Sequence, residues 1–103
     1  MFDNIKKEER FDLIISQLPF ADVLYKSPVS HFLFDSGFKL HERFLKEAKM
    51  HLTSKGVIFI PSGDVANEPK LIELIKKYSY SIVGISKEPF QGHIWKVYTL
   101  KNL

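Results

Sequence analysis

The chain has 103 residues, 45% of them hydrophobic, with nine Phe and a net charge of +3. A length of this kind allows one small domain, residues 1–103, burying about 60–65% of its unfolded surface. Cysteine is absent, which excludes disulfides, thiolate metal sites and cysteine nucleophiles, while the mild charge permits an anionic partner without requiring one.

Residues 1–10, MFDNIKKEER, form a polar lead-in without the apolar core of a signal peptide. No apolar run approaches the ~18 residues of a membrane span, so no membrane contact is expected. Together with the missing cysteines this fits a cytoplasmic setting.

Leu13-Ile14-Ile15 belongs to a short, branched, non-alternating apolar run ending before Pro19. Such a run reads as a strand covered on both faces, the habit of parallel sheets. Residues 17–36 are a long connection broken by Pro19 and Pro28 yet rich in Phe and Leu. Connections of this length often carry function.

Residues 38–53 read as a helix, with Leu40, Phe44, Leu45, Ala48 and Leu52 at helical spacing. Asp35 or Ser36 can cap its start, and Gly56 is the expected stop. Glu42 and Lys46 make an i,i+4 pair. Residues 57–60, VIFI, are a second buried strand, broken by Pro61-Ser62-Gly63-Asp64. A second helix is expected from about Asn67 to Tyr78, with Asn67 as cap and Pro69 in the first turn. Its apolar face is Leu71, Leu74, Ile75 and Tyr78, and Glu73 pairs with Lys77. Residues 80–85 and 93–100 then read as two strands joined by a loose hairpin.

The order strand, long loop, helix, strand, helix, strand, strand describes a three-layer α/β fold. Right-handed crossovers link its first strands, and its mostly parallel sheet ends in an antiparallel strand pair.

The stretch FDLIISQLPF resembles the strand and catalytic loop FDLIISNPPF of class I S-adenosylmethionine (SAM)-dependent methyltransferases. The nearest likeness is to the small-domain group, which methylates exocyclic amino groups of bases or a side-chain amide. FDSGFKLHERFLKEAKMHLTSKGVIFIPSG resembles the following helix and strand of that group, and SYSIVGISKEPFQGHIWKVYTL its closing antiparallel pair. The likeness spans most of the chain from Phe11 to Leu100. It implies a partial Rossmann-like methyltransferase fold, with Gln17, Leu18, Pro19 and Phe20 at the catalytic loop.

In the family, an Asn or Asp side chain and the carbonyl of the first Pro orient the target amine, and the terminal aromatic stacks on it. Gln17 stands here in place of Asn, and Leu18 in place of the first Pro, while Phe20 keeps the aromatic. The resemblance implies SAM as cofactor. However, the family's glycine-rich cofactor turn belongs mainly to a preceding half. The five glycines of this sequence, Gly37, Gly56, Gly63, Gly84 and Gly92, include no GxG turn. The expectation is therefore a truncated methyltransferase-like domain that is inactive in isolation and binds SAM poorly. A bare edge on the first strand implies a homodimer or a separate N-terminal half as partner. A non-catalytic interaction module is the alternative.

Other residues carry less. His31, His41, His51 and His93 form no metal motif and read as surface histidines. Asp12 reads as solvent-facing and Asp64 as a turn cap. Phe32 and Phe34 read as core rather than as a base-stacking pocket. Lys6, Lys7, Arg10, Lys76 and Lys77 read as solvated charge, with a nucleic-acid face as the alternative.

Overall fold

A computed structural model describes residues 2–16, 36–64 and 66–103 of the chain. Its strands are β1 (Phe11–Ile15), β2 (Leu52–Gly63), β3 (Tyr80–Phe90) and β4 (His93–Asn102), and its helices are α1 (Lys39–Ala48) and α2 (Glu68–Lys77). The four strands form one sheet in the order β1-β2-β4-β3. β1 runs parallel to β2, whereas β4 is antiparallel to both β2 and β3. The closing hairpin thus inserts its second strand next to β2 and leaves β3 at the edge.

Register explains the core. Ile14 lies opposite Ile58 and Ile58 opposite Leu100, while Ile60 faces Tyr98. All five are buried, so they mark one face of the sheet. Both helices pack there, burying Phe44, Leu45 and Ala48 from α1 and Leu71, Leu74 and Ile75 from α2. The Tyr80 hydroxyl donates to the Leu45 carbonyl at 2.5 Å, fixing α1 to β3. Burial raises the Tyr80 pKa well above the usual phenol value. The other face carries Leu13, Ile15, Val57, Phe59, Pro61, Trp95 and Val97. Among the described residues no helix covers it.

The second helix forms as expected: the Asn67 side chain accepts from the Lys70 amide at 3.2 Å, and Pro69 sits in the first turn. The start of the first differs. A 3-10 turn, Ser36–Phe38, precedes α1, and Phe38 occupies the cap position with a left-handed φ of 55° and no side-chain cap bond. Asp35 lies outside the described residues. The end differs too. α1 stops at Ala48, a 3-10 turn follows at Lys49–His51, and Leu52 already belongs to β2. Gly56 is therefore not a helix stop. It lies inside β2, where an added Cβ would sit 2.9 Å from the Phe11 carbonyl oxygen.

Two expected ion pairs are replaced. Glu42 accepts from the Lys77 ammonium at 2.7 Å and from the Tyr78 hydroxyl at 2.9 Å, joining the two helices rather than one turn to the next. These donors hold its carboxyl below the usual range. Glu73 pairs with Lys70 at 3.8 Å. His41 and His51 are corrections as well, since both are buried. His41 stacks on Phe38, and His51 stacks on Phe2 with its Nδ1 3.0 Å from the Glu9 carbonyl. A stacked imidazole with one hydrogen bond behaves as core. No described helix is long and apolar enough to cross a membrane.

Candidate functional site

In open α/β sheets ligands bind outside the carboxyl ends of the parallel strands. Here those ends are Ser16, just after β1, and the segment from Pro61 to Asp64 that closes β2. The Ser16 amide donates to the Phe59 carbonyl at 3.1 Å, extending the parallel ladder by one bond. Continuing that register places Ser16 beside Ile60, so Ser62 follows two residues along on the same face. Ser16 and Ser62 then stand diagonally, with ~8 Å between them.

Both serines are buried, at 4% and 2% exposure, and neither hydroxyl has a hydrogen-bond partner among the described residues. A buried unpaired hydroxyl is costly and calls for an explanation such as a bound polar group. These two hydroxyls can each donate and accept, so they suit a polar ligand at the strand ends.

Beside them, the start of α2 carries a polar network. The Glu68 carboxylate accepts from the Lys96 ammonium at 2.9 Å and from the Tyr98 hydroxyl. Lys96 is the cross-strand neighbour of Ser62. Burial opposes ionisation of Glu68, but the Tyr98 and Lys96 donors outweigh it and hold its carboxyl below the usual value of 4.5. Burial, followed by the Glu68 bond, pushes the Tyr98 hydroxyl well above its ordinary value. Asp64 caps the turn as expected: it accepts from the Ile94 amide at 2.9 Å and lies 3.1 Å from His93 Nδ1. The Ile94 amide and His93 lower its carboxyl pKa.

Gln17, Leu18, Pro19 and Phe20 lie outside the described residues, as do His31, Phe32 and Phe34. Ser16, which precedes Gln17 in sequence, stands at the carboxyl end of β1. His93 is exposed, as expected, and Asp12 accepts from the Thr53 hydroxyl at 2.6 Å on the surface. No group of three His, Asp or Glu side chains among the described residues is arranged for a metal ion. Sequence reasoning missed Ser16, Ser62, Glu68, Lys96 and Tyr98 as a set. The available signal was a polar residue on each buried strand at the same end, beside a helix start.

No family model matches this sequence, and no curated protein matches it. Solved structures do. The B. subtilis tRNA methyltransferase TrmK superposes with a TM-score of 0.59 at 17% identity, over 99% of this chain and 35% of that one. A putative methyltransferase complexed with SAH gives 0.62 at 17% identity, over 90% and 26%. A SAM-dependent methyltransferase from Leishmania major gives 0.60 at 19% identity, over 90% and 39%. The chain thus spans roughly a quarter to two fifths of these neighbours. The likeness shows the fold: a partial Rossmann-like α/β sheet of the kind found in SAM-dependent methyltransferases.

Proposed function

We propose that this chain is a methyltransferase-like protein of the N-methylating NPPF/Y-type group, carrying the target-side portion of the fold. The observation that supports this most directly is the strand that precedes the altered motif in sequence. The FDLII part of that stretch is β1, and its carboxyl end leads to Ser16, whose buried hydroxyl, like that of Ser62, has no partner among the described residues. The residues that follow β1 in sequence are, in this reading, the ones that meet a target amine. The Gln17 side-chain oxygen and the Leu18 carbonyl orient that amine, whose donors match two acceptors, and Phe20 stacks on its ring or amide plane. The substrate is a nucleobase or a side-chain amide.

The described residues do not offer a cradle for SAM. Gly37 lies in a 3-10 turn, Gly56 and Gly63 lie in β2, Gly84 lies in β3, and Gly92 turns the hairpin. No two of them build a strand-to-helix turn of the kind that approaches a nucleotide-like ligand. No transfer step is therefore assigned to the isolated chain. The cofactor site comes from protein outside these residues, with another copy or a separate N-terminal half as the proposed source, and the setting is cytoplasmic.

Calorimetric titration with SAM tests this reading. The isolated chain should bind no SAM up to about 1 mM, a free energy of about 4 kcal/mol. The partnered chain should bind at micromolar levels and transfer labelled methyl to a base or amide. Micromolar binding by the isolated chain overturns the partner requirement. Absence of methyl incorporation by the partnered chain overturns the transferase reading. Phe20→Ala in the active pair should lower turnover at least tenfold while leaving folding intact.

A second reading, a non-catalytic protein-interaction module, is favoured by a different observation: Leu13 and Ile15 are 48% and 59% exposed on the helix-free face.

A further inference from the structure

The distal half of the β3–β4 hairpin carries a cavity that shares Ser62 and Lys96 with the site above but whose helix-free side that reading does not use. It measures about 260 Å³ and is lined by Pro61, Ser86, Lys87, Glu88, Trp95 and Val97, among others. Register shows how it is built. Val97 lies between Pro61 and Ser86 in one cross-strand row, and Trp95 lies between Gly63 and Glu88 in another. Both rows point to the helix-free face of the sheet. They are two residues apart along β4, which separates them by ~7 Å. A flat ring needs ~3.5 Å of contact distance on each side, so a single ring standing on the sheet fills this slot with Trp95 on one face and Val97 with Pro61 on the other.

The slot is held ready. The Trp95 indole N–H donates to the Phe90 carbonyl at 3.3 Å, and His93 meets the indole edge-on at 6.1 Å between centroids. Gly63 contributes no side chain to the Trp95 row. Its Cβ would come within 2.6 Å of the Ile94 carbonyl oxygen, so that end of the slot stays open.

The rim selects among flat rings. Glu88 offers a carboxylate that accepts from an amino group, whereas the Ser86 hydroxyl donates to a ring nitrogen or carbonyl. A phenyl ring from a peptide offers no hydrogen bond to either. A nucleobase with an exocyclic amine answers each of them, and its phosphate backbone suits a chain of net charge +3. The geometry points to a nucleobase slot: the β3–β4 hairpin binds single-stranded RNA by sandwiching one amino-bearing base between Trp95 and Val97. This stands apart from methyl transfer, and its test needs no SAM.

Trp95 is the only tryptophan, so its fluorescence reads the slot directly. Short single-stranded RNA homopolymers of adenosine, cytidine and uridine are the probes. Saturable quenching by adenosine and cytidine polymers is expected, with weaker quenching by uridine, whose base lacks the amine. Val97→Phe fills the slot and should raise the apparent Kd about tenfold or more. Trp95→Ala should weaken binding by a similar factor, read by anisotropy of labelled RNA, and Trp95→Phe should restore most of it. This pair decides the matter if Val97→Phe does not fold. The proposal is overturned by any of three results: no saturable quenching by any of the RNAs, an unchanged Kd in the slot variants, or equal quenching by an aromatic peptide, which would make the slot a protein contact.

Discussion

Glu68 is the residue on which two strand side chains converge, and its environment sets a pH dependence that can be measured. It lies in the first turn of α2, where a carboxylate also complements the helix dipole. Its side chain is 18% exposed, and that of Lys96 is 20% exposed, so solvent screening is incomplete. Glu68→Gln replaces charge-assisted bonds by neutral ones and should cost about 1–2 kcal/mol of stability at neutral pH. The sign with pH follows from the lowered pKa. A carboxyl whose folded-state value lies below its ordinary 4.5 contributes full stability above that ordinary value. The contribution is lost as pH falls through the folded-state value. Urea unfolding of both proteins should therefore show a gap at neutral pH that closes in acid as pH falls below 4.5. A gap independent of pH would mean that Glu68 acts by packing alone. His41 and His51 give the opposite lesson. Composition suggests wet histidines, yet each ring is stacked on a phenylalanine inside the core. The spacing did carry the signal for His41, which stands three, four and seven residues before Phe44, Leu45 and Ala48 and so shares their buried face.

At the scale of elements, β2 carries the fold, since it pairs with β1 on one side and β4 on the other. Gly56 is the tight point of the parallel pairing, where the register shifts between Phe11 and Leu13. An Ala there places its Cβ 2.6 Å from Leu52 Cδ1 and 2.9 Å from the Phe11 carbonyl oxygen. The leucine can turn away, but the backbone cannot without moving β1. Gly56→Ala should destabilise by about 1–3 kcal/mol. Gly84→Ala in β3 meets only Thr99 at 3.8 Å and should change stability by less than about 0.5 kcal/mol. Denaturation midpoints of the pair check the contrast, and equal losses would refute it. Much of this layer was legible beforehand. The Asn67 cap, the Pro69 turn, the second helix and the existence of four strands follow from periodicity and punctuation, whereas the first helix ends five residues early, β2 runs on through residues 61–63 and β3 on to Phe90. The first residues of β2 do not follow, because Leu52 continues the helical spacing of Phe44, Leu45 and Ala48 while its actual partner, Phe11, is remote in sequence. Ser16 and Ser62 were illegible as a pair for the same reason: only the parallel register brings them to one face, diagonally across neighbouring strands.

For the whole molecule, the asymmetry of the sheet is the dominant fact. One face is sealed by two helices, while the other shows apolar residues on β1, β2 and β4. β1 is also an edge strand of five residues with one side unpaired among the described residues. Parallel strands are ordinarily buried on both faces, and an apolar edge of this kind recruits another strand. Pairing of β1 with β1 of a second copy about a two-fold axis is self-complementary, because residue 13 then meets its own counterpart. Ile15 lies close to that axis, is 59% exposed, and faces away from the helices. Ile15→Lys puts a charge from each copy near the junction and leaves the helix-side core untouched. Light scattering of the native chain should give twice the 12.0 kDa chain mass, and Ile15→Lys should return it to the single-chain value with little change in Tm for the monomer unit. A native protein that stays at the single-chain mass across concentrations would rule out the two-fold pairing and leave the cover of β1 to a different polypeptide.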